Sequence, residues 1–231
     1  MKAWQPRRGF RAGIDSVLLA AACPASPGEE VLELGCGPGI AALCLEARVR
    51  GATVTGVEKQ ENYAEIAQRN GLVVWHADLE HMPLELRQRQ FHHVMFNPPY
   101  FDPARGAAAP DAGRHMARAE DTPLPLWFEA AEKRLRAKGS LTVIHRAEKL
   151  ADILGALGPT LGSVRVLPLA PRAGRDPHLI LLRARKDGRA PLRLHRPLIL
   201  HEGTHHEADS PDYTPLIASI LQNGAALPFP D

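Results

Sequence analysis

EEVLELGCGPG, residues 29–39, places an apolar run directly against a cluster of glycines. Val31, Leu32 and Leu34 make a run of strand length, and Gly35, Gly37 and Gly39 end it with residues that reach backbone conformations closed to others. Ile40, Leu43, Cys44 and Ala47 then recur on one face of a helix. A strand, a glycine-rich turn and a helix open an alternating α/β fold, with the helix N-terminus facing whatever lies beyond the strand. A dinucleotide fingerprint needs glycine where Ile40 stands, which disfavours NAD.

The same rhythm continues on both sides. ATVTGVEK (52–59), LVVWHAD (72–78), FHHVMFN (91–97) and GSLTVIHR (139–146) are predicted strands. ENYAEIAQRN (61–70) and AEKLADILGAL (147–157) are predicted helices, and Thr122-Pro123 starts another that should run to about Ala137. The polar segment from Asp102 to Asp121 is longer than an ordinary connection, as a functional loop or a disordered one would be. After Gly158 the alternation stops: SVRVLPL (163–169) and HLILLRAR (178–185) form an antiparallel edge pair, and the tail from Pro191 is short strand and coil. The expected architecture is α/β, a mostly parallel seven-stranded sheet with an antiparallel edge pair and helices on both faces. One domain is expected, with an N-terminal helix in 1–29, the α/β core in 30–157 and edge strands with a basic segment in 158–231.

At 231 residues and 45% hydrophobic content, the chain can bury one substantial core. Its three cysteines lack CxxC spacing, which fits a reducing, cytoplasmic setting, and no run is long enough to span a bilayer. The N-terminal PRRGFRAGIDSVLLAAAC imitates an export signal, but Asp15 interrupts its apolar part. Ile14, Val17, Leu18 and Ala21 share one helical face instead.

In such a sheet ligands bind beyond the carboxyl ends of the strands. Glu58 ends the second strand, where an acid accepts from ribose hydroxyls, and Asp78 ends the third, where one accepts from an adenine amino group. With the glycine turn they indicate an adenosine ligand. The fourth strand closes in MFNPPYF (95–101), an asparagine, two prolines and an aromatic.

ELGCGPG, Glu58, Asp78 and NPPY together resemble the ordered motifs of class I S-adenosylmethionine-dependent methyltransferases, with a Rossmann-like fold, over residues 31–145. The NPPY element is similar to that of enzymes methylating an amino or amide nitrogen conjugated to a π system. The resemblance implies that Glu33 and the backbone of Gly35, Cys36, Gly37 and Gly39 hold the cofactor's methionine end, with Asn97 beside it. It implies Glu58 and Lys59 at the ribose, and Asp78 and Leu79 at the adenine. Asn97 and the Pro98 carbonyl would accept from the target amine, Pro99 would stiffen them, and Tyr100 would stack on the base.

GFRAGIDSVLLAA, FNPPYF, ARAED (117–121) and the late HRPLILHE…YTP resemble the tRNA1(Val) adenine N6-methyltransferase family. Glutamine methyltransferases usually carry a helical domain before the core, and the turn at Gly35 leaves no room for one. Guanine-N2 enzymes usually carry a duplicate domain, and DNA adenine enzymes a target-recognition region. The expected substrate is therefore tRNA rather than DNA, with no membrane partner and a monomeric or weakly dimeric protein. The alternatives are a guanine-N2 rRNA or protein-glutamine methyltransferase, or a non-catalytic RNA-binding protein that keeps the cofactor site. Ala119 stands where family members often have His, so that loop is given no catalytic role. Asp15 either closes over the cofactor's methionine end or caps the first helix.

An RNA must be held by its phosphates. Arg172, Arg175, Arg185 and Lys186 lie in a strongly basic stretch, Arg105, Arg114 and Arg118 flank the NPPY element, and Arg7 and Arg8 precede the first helix. HEGTH (201–205) spells a zinc-protease motif, but Gly203 and the nearby prolines argue for extended chain. That would set the histidines about 13 Å apart, so no metal is expected.

Overall fold

Strand β1 (Glu30–Leu34) is the inner strand about which the sheet is organised, flanked by β2 (Thr53–Glu58) and β4 (Phe91–Phe96), both parallel to it. The computed structural model describes residues 2–7, 9, 11–99, 122–203, 205 and 212–230. Beyond β2 lies β3 (Val73–His76), and beyond β4 lies β5 (Leu135–Arg146), again parallel. Strand β7 (Leu179–Lys186) pairs antiparallel with both β5 and β6 (Leu161–Ala170). Two-residue strands β8 (Arg193–Leu194) and β9 (Leu198–Ile199) add to β6. The order is β3-β2-β1-β4-β5-β7-β6-β8, with β9 also on β6, so among the described residues the expected seven strands carry two short additions. The chain builds outward from β1 to β3 and then restarts at β4 on the other side. That reversal opens a crevice beyond the ends of β1 and β4, where residues 35–39 and 97–99 sit.

Strand alternation sorts the core into two layers. Val31 and Met95 join one cluster with helices α1 (Ile14–Ala22), α2 (Ile40–Arg48) and a C-terminal helix (Pro215–Asn223). Leu32, Leu34, Val94 and Phe96 join the other, with Phe128 and Ile153 from helices on the opposite face. Strands buried on both faces have to be near-continuously apolar, which is why these segments are legible as strands. Each fully buried Leu or Phe stabilises the fold by roughly 1.5–3 kcal/mol before entropy is counted.

Between these lie α3 (Glu61–Arg69) and α4 (Leu84–Arg87), then α5 (Leu124–Arg134) and α6 (Leu150–Ala156); the C-terminal helix is α7. Helix α5 stops at Arg134, short of the predicted Ala137, and β5 begins at once. Leu135 is fully buried opposite Phe91, and the Lys186 ammonium donates to the carbonyls of Glu132 and Leu135 at 2.8 and 2.7 Å, closing the helix end. Helix α7 corrects the expectation of short strand and coil after Pro191. Its signals were present, Pro215 in the first turn and Gly224 in the left-handed C-cap conformation. Among the described residues no helix is long and apolar enough to cross a membrane.

Candidate active site

Glu33 sits on the α2 side of β1, because Leu32 and Leu34 take the other face. It is 4% exposed, and its Oε2 accepts from the Ala42 amide at 2.9 Å. Burial pushes its pKa up to about 8; the Ala42 hydrogen bond opposes this and the charge of Glu58 adds to it. The folded value stands above the ordinary 4.5, so the folded chain keeps a proton that the unfolded chain releases in that interval. The stability associated with neutral Glu33 is complete below about pH 4.5 and is lost as pH rises through about 8. Glu33→Gln keeps the shape without the proton. In calorimetry of the ligand-free protein its Tm should fall less than the wild type's between about pH 5 and about pH 8.5; parallel curves would refute this.

Glu58 organises the turn. Its Oε2 accepts from the Gly37 amide and its Oε1 from the Gln60 amide, both at 2.8 Å. The Cys36 amide donates to Val57 O at 3.0 Å and the Gly39 amide to Cys36 O at 2.9 Å. The donors of Cys36, Gly37 and Gly39 are therefore already used within the protein, which alters the expected role of this backbone toward the methionine end. Gly35, at φ +61°, has the Trp127 ring 2.4 Å from where a Cβ would stand, and Gly39, at φ +82°, has Leu72 at 2.1 Å. Internal packing, as well as any ligand, demands glycine there.

Lys59 and Asp78, expected at ribose and adenine, form an ion pair at 2.9 Å. Asp78 also accepts from the Glu80 amide at 3.0 Å, capping the 3-10 turn Leu79–His81 that includes Leu79. Burial alone would raise the Asp78 pKa, but the Lys59 and Glu80 hydrogen bonds and the Lys59 charge hold it below the ordinary value.

At the end of β4, Asn97 is half-buried, and its Oδ1 is buried with no hydrogen-bond partner among the described residues. Leaving such an acceptor unpaired costs about 1–3 kcal/mol, so its retention calls for an explanation. Pro98 is buried and Pro99 exposed. Both line a cavity of about 590 Å³ with Trp127, His145, Lys149 and Asp152, a volume in the range of small-ligand sites. Phe96 anchors the corner against Trp127 and Phe128, with ring centroids 5.6 and 5.2 Å away.

His145, the last residue but one of β5, was not singled out from the sequence. Its Nδ1 accepts from the Arg146 amide at 2.7 Å, which leaves the ring proton on Nε2. Burial, then the Lys149 and Arg146 charges, lower its pKa to about 4, so the ring is neutral at pH 7.

Gly13, not Asp15, is the N-cap of α1. Asp15 lies in the first turn, where a carboxylate favours the helix dipole, which corrects the capping alternative. Arg7, Arg175 and Arg185 are exposed. Arg172 pairs with Asp212 and donates to Glu202 O, Lys186 closes α5, and Arg185 Nε donates to Lys138 O at 3.2 Å. Tyr100, Arg8, Arg105, Arg114 and Arg118 lie outside the described residues. His201 of HEGTH bonds Asp212 at 2.6 Å and stacks on Tyr213. The three thiols are free and pushed up by burial, to about 12 for Cys23, which makes them poor nucleophiles.

Residues 31–119 match the methyltransferase domain family. The chain is 31% identical over 188 residues to a tRNA1(Val) (adenine(37)-N6)-methyltransferase of Porphyromonas gingivalis, covering 74% of this chain and 73% of that one. It is 29% identical to the protein of that name from Yersinia pseudotuberculosis, over 94% and 88% of the two chains. A solved predicted O-methyltransferase of Agrobacterium tumefaciens superposes with a TM-score of 0.74 at 28% identity, covering 92% of this chain and 98% of that one.

Proposed function

This chain belongs to the tRNA1(Val) adenine-N6-methyltransferase family, and from that premise we propose that it methylates N6 of an adenine in tRNA with S-adenosylmethionine. The observation that carries the chemistry is the buried Asn97 Oδ1, without a partner among the described residues, on the residue before Pro98 and Pro99, which line the cavity. An exocyclic amine lends its lone pair to the ring and is a poor nucleophile. Acceptors on both of its hydrogens, the Asn97 oxygen and the Pro98 carbonyl, draw it toward tetrahedral geometry and free the lone pair. A hydroxyl has one hydrogen and cannot use two acceptors, so the pair favours nitrogen over the oxygen named for the Agrobacterium protein. Pro99 has no N–H to compete for that carbonyl. Tyr100 is assigned to stacking on the base, worth about 1–3 kcal/mol.

The residues present fit the cofactor. S-adenosylmethionine supplies an activated methyl group on a sulfonium when bound. Glu33 is proposed at its methionine end, Glu58 and Lys59 at the ribose, and Asp78 and Leu79 at the adenine, with Asp15 on the approach. A cationic ammonium near Glu33 would ionise it, so cofactor binding at pH 7 should release a proton. No strong base is needed, because the amine becomes acidic once methylated, and positioning supplies most of the rate. Arg7, Arg175 and Arg185 are the exposed cations proposed to meet tRNA phosphates.

The test is incubation with labelled cofactor and total tRNA from a strain lacking the gene, followed by nucleoside identification. N6-methyladenosine is expected. N2-methylguanosine, or label in protein alone, would overturn the adenine assignment.

A further inference from the structure

An amide side chain can donate twice and accept at its oxygen, and Asn70 uses both donors and the acceptor. Its Oδ1 accepts from the Trp4 amide at 2.7 Å. Its Nδ2 donates to Trp4 O at 3.0 Å and to Pro38 O, in the glycine turn, at 2.9 Å. The N-terminal arm is thus pinned by its backbone, at one residue, to the turn of the proposed cofactor site.

A second seat lies further along the arm. Gly9, at φ +92°, brings its backbone so close to Tyr63 on α3 that a Cβ would stand 2.6 Å from the phenolic oxygen. Gln5 folds back along the arm to accept from the Ala12 amide at 3.0 Å, whereas several of its neighbours are exposed. Trp4 is 65% exposed, and Lys2, Arg7 and Arg11 are exposed near it in sequence.

Core packing does not account for this arrangement. Holding a tryptophan by its backbone leaves the indole in water, and burial of the ring is forgone. A rigidly held aromatic face among interleaved cations is the surface that single-stranded nucleic acid uses: bases stack on the ring and phosphates meet the cations. A protein partner would also accept an exposed Trp, but exposed Trp4 with exposed Lys2, Arg7 and Arg11, in a stretch with no acid among residues 2–14, matches a polyanion carrying planar bases better.

We infer that Trp4, Lys2, Arg7 and Arg11 form a tRNA-binding arm in which Trp4 stacks on an unpaired nucleobase, the three cations hold phosphates, and Asn70 positions Trp4 against the cofactor-binding turn. This rests on the reading of tRNA as substrate. Asn70 is a positioning residue; Trp4 makes the contact. The shared anchor at Pro38 couples the two ligands, and any effect of cofactor on tRNA affinity must equal that of tRNA on cofactor affinity.

The test is tRNA binding by fluorescence anisotropy, with cofactor affinity measured alongside, for wild type, Trp4→Ala, Trp4→Phe, Asn70→Ala and the Trp4→Ala/Asn70→Ala double variant. Trp4→Ala should weaken tRNA binding about tenfold while cofactor affinity stays within about twofold. Trp4→Phe keeps an aromatic face and should recover most of the loss. Asn70→Ala should weaken tRNA binding about as much as Trp4→Ala, with an added loss of cofactor affinity from the freed Pro38 carbonyl, and for tRNA the double variant should be little worse than either, because the two act through one arm. Wild-type tRNA affinity in Trp4→Ala overturns the inference, as does a loss confined to cofactor binding. If the wild type methylates tRNA normally in the same preparation, that failure is the arm's alone. If the wild type neither binds nor methylates tRNA, the substrate reading falls and the arm with it.

Discussion

Asn97→Ala is expected to lower methyl transfer to tRNA by about 10²–10³-fold, the usual cost of losing one preorganised polar contact to a reacting group, while cofactor affinity changes by no more than a few fold. The separation follows from where the side chain sits. Its Oδ1 is buried and has no partner among the described residues, so removing it breaks no hydrogen bond seen in the fold. Thermal stability should therefore hold or rise slightly, since an unpaired buried acceptor is removed. Phe96, packed on Trp127 and Phe128, keeps the end of β4 in place in the variant. Asn97→Asp retains an oxygen at the same position and should keep more transfer than Ala. Single-turnover transfer with labelled cofactor, calorimetric cofactor titration and a melting curve separate the three quantities. A transfer rate within about threefold of wild type in Asn97→Ala would falsify the acceptor role.

Gly35→Ala should be the most damaging single methyl group in the site. The new Cβ would lie 2.4 Å from the Trp127 ring, at a left-handed φ of +61°. The left-handed conformation costs about 1–2 kcal/mol for a residue with a Cβ, and forcing extra volume into a packed core about 1–3 kcal/mol. Trp127 cannot retreat freely, because it is 6% exposed, packs on Phe96 and donates its indole N–H to Thr122 O at 3.2 Å. A loss of about 2–5 kcal/mol corresponds to a fall in Tm of roughly 5–15 °C for a chain of this size. Transfer should drop as well, because Trp127 lines the cavity with Pro98 and Pro99. Trp127→Leu makes room and should restore part of the stability of Gly35→Ala, a coupling that a double-mutant cycle measures. A Tm within about 2 °C of wild type would show that the ring moves aside at little cost.

The strands were legible because each inner strand is buried on both faces and so must be apolar along its length. The glycine turn and the asparagine-proline step were legible because few residue types meet their backbone demands. Helix α7 was missed although Pro215 and Gly224 mark its ends. Its apolar residues were read against the short, turn-rich tail before it, and the α1 surface that covers Ile217 and Ile220 is distant in sequence. The run of cations was legible as charge but not as function. Arg172 and Lys186 differ from Arg175 in what the folded chain brings beside them, Asp212 in one case and the carbonyls ending α5 in the other, and Arg185 gives only its Nε to the Lys138 carbonyl.

The sequence by itself determined the alternation of strands and helices, the place of the glycine turn, and the presence of carboxylates and an amide at successive strand ends. These are local properties, written in periodicity and in the backbone freedom of single residues. Tertiary structure alone decided that Glu58 holds the Gly37 amide, that Lys59 pairs with Asp78, that Asn70 pins the N-terminal arm to Pro38, and that Gly35 answers to Trp127. Each of these joins residues from different elements, and the pairing is set by which surfaces share a layer of the core, a constraint that no single segment of the chain carries.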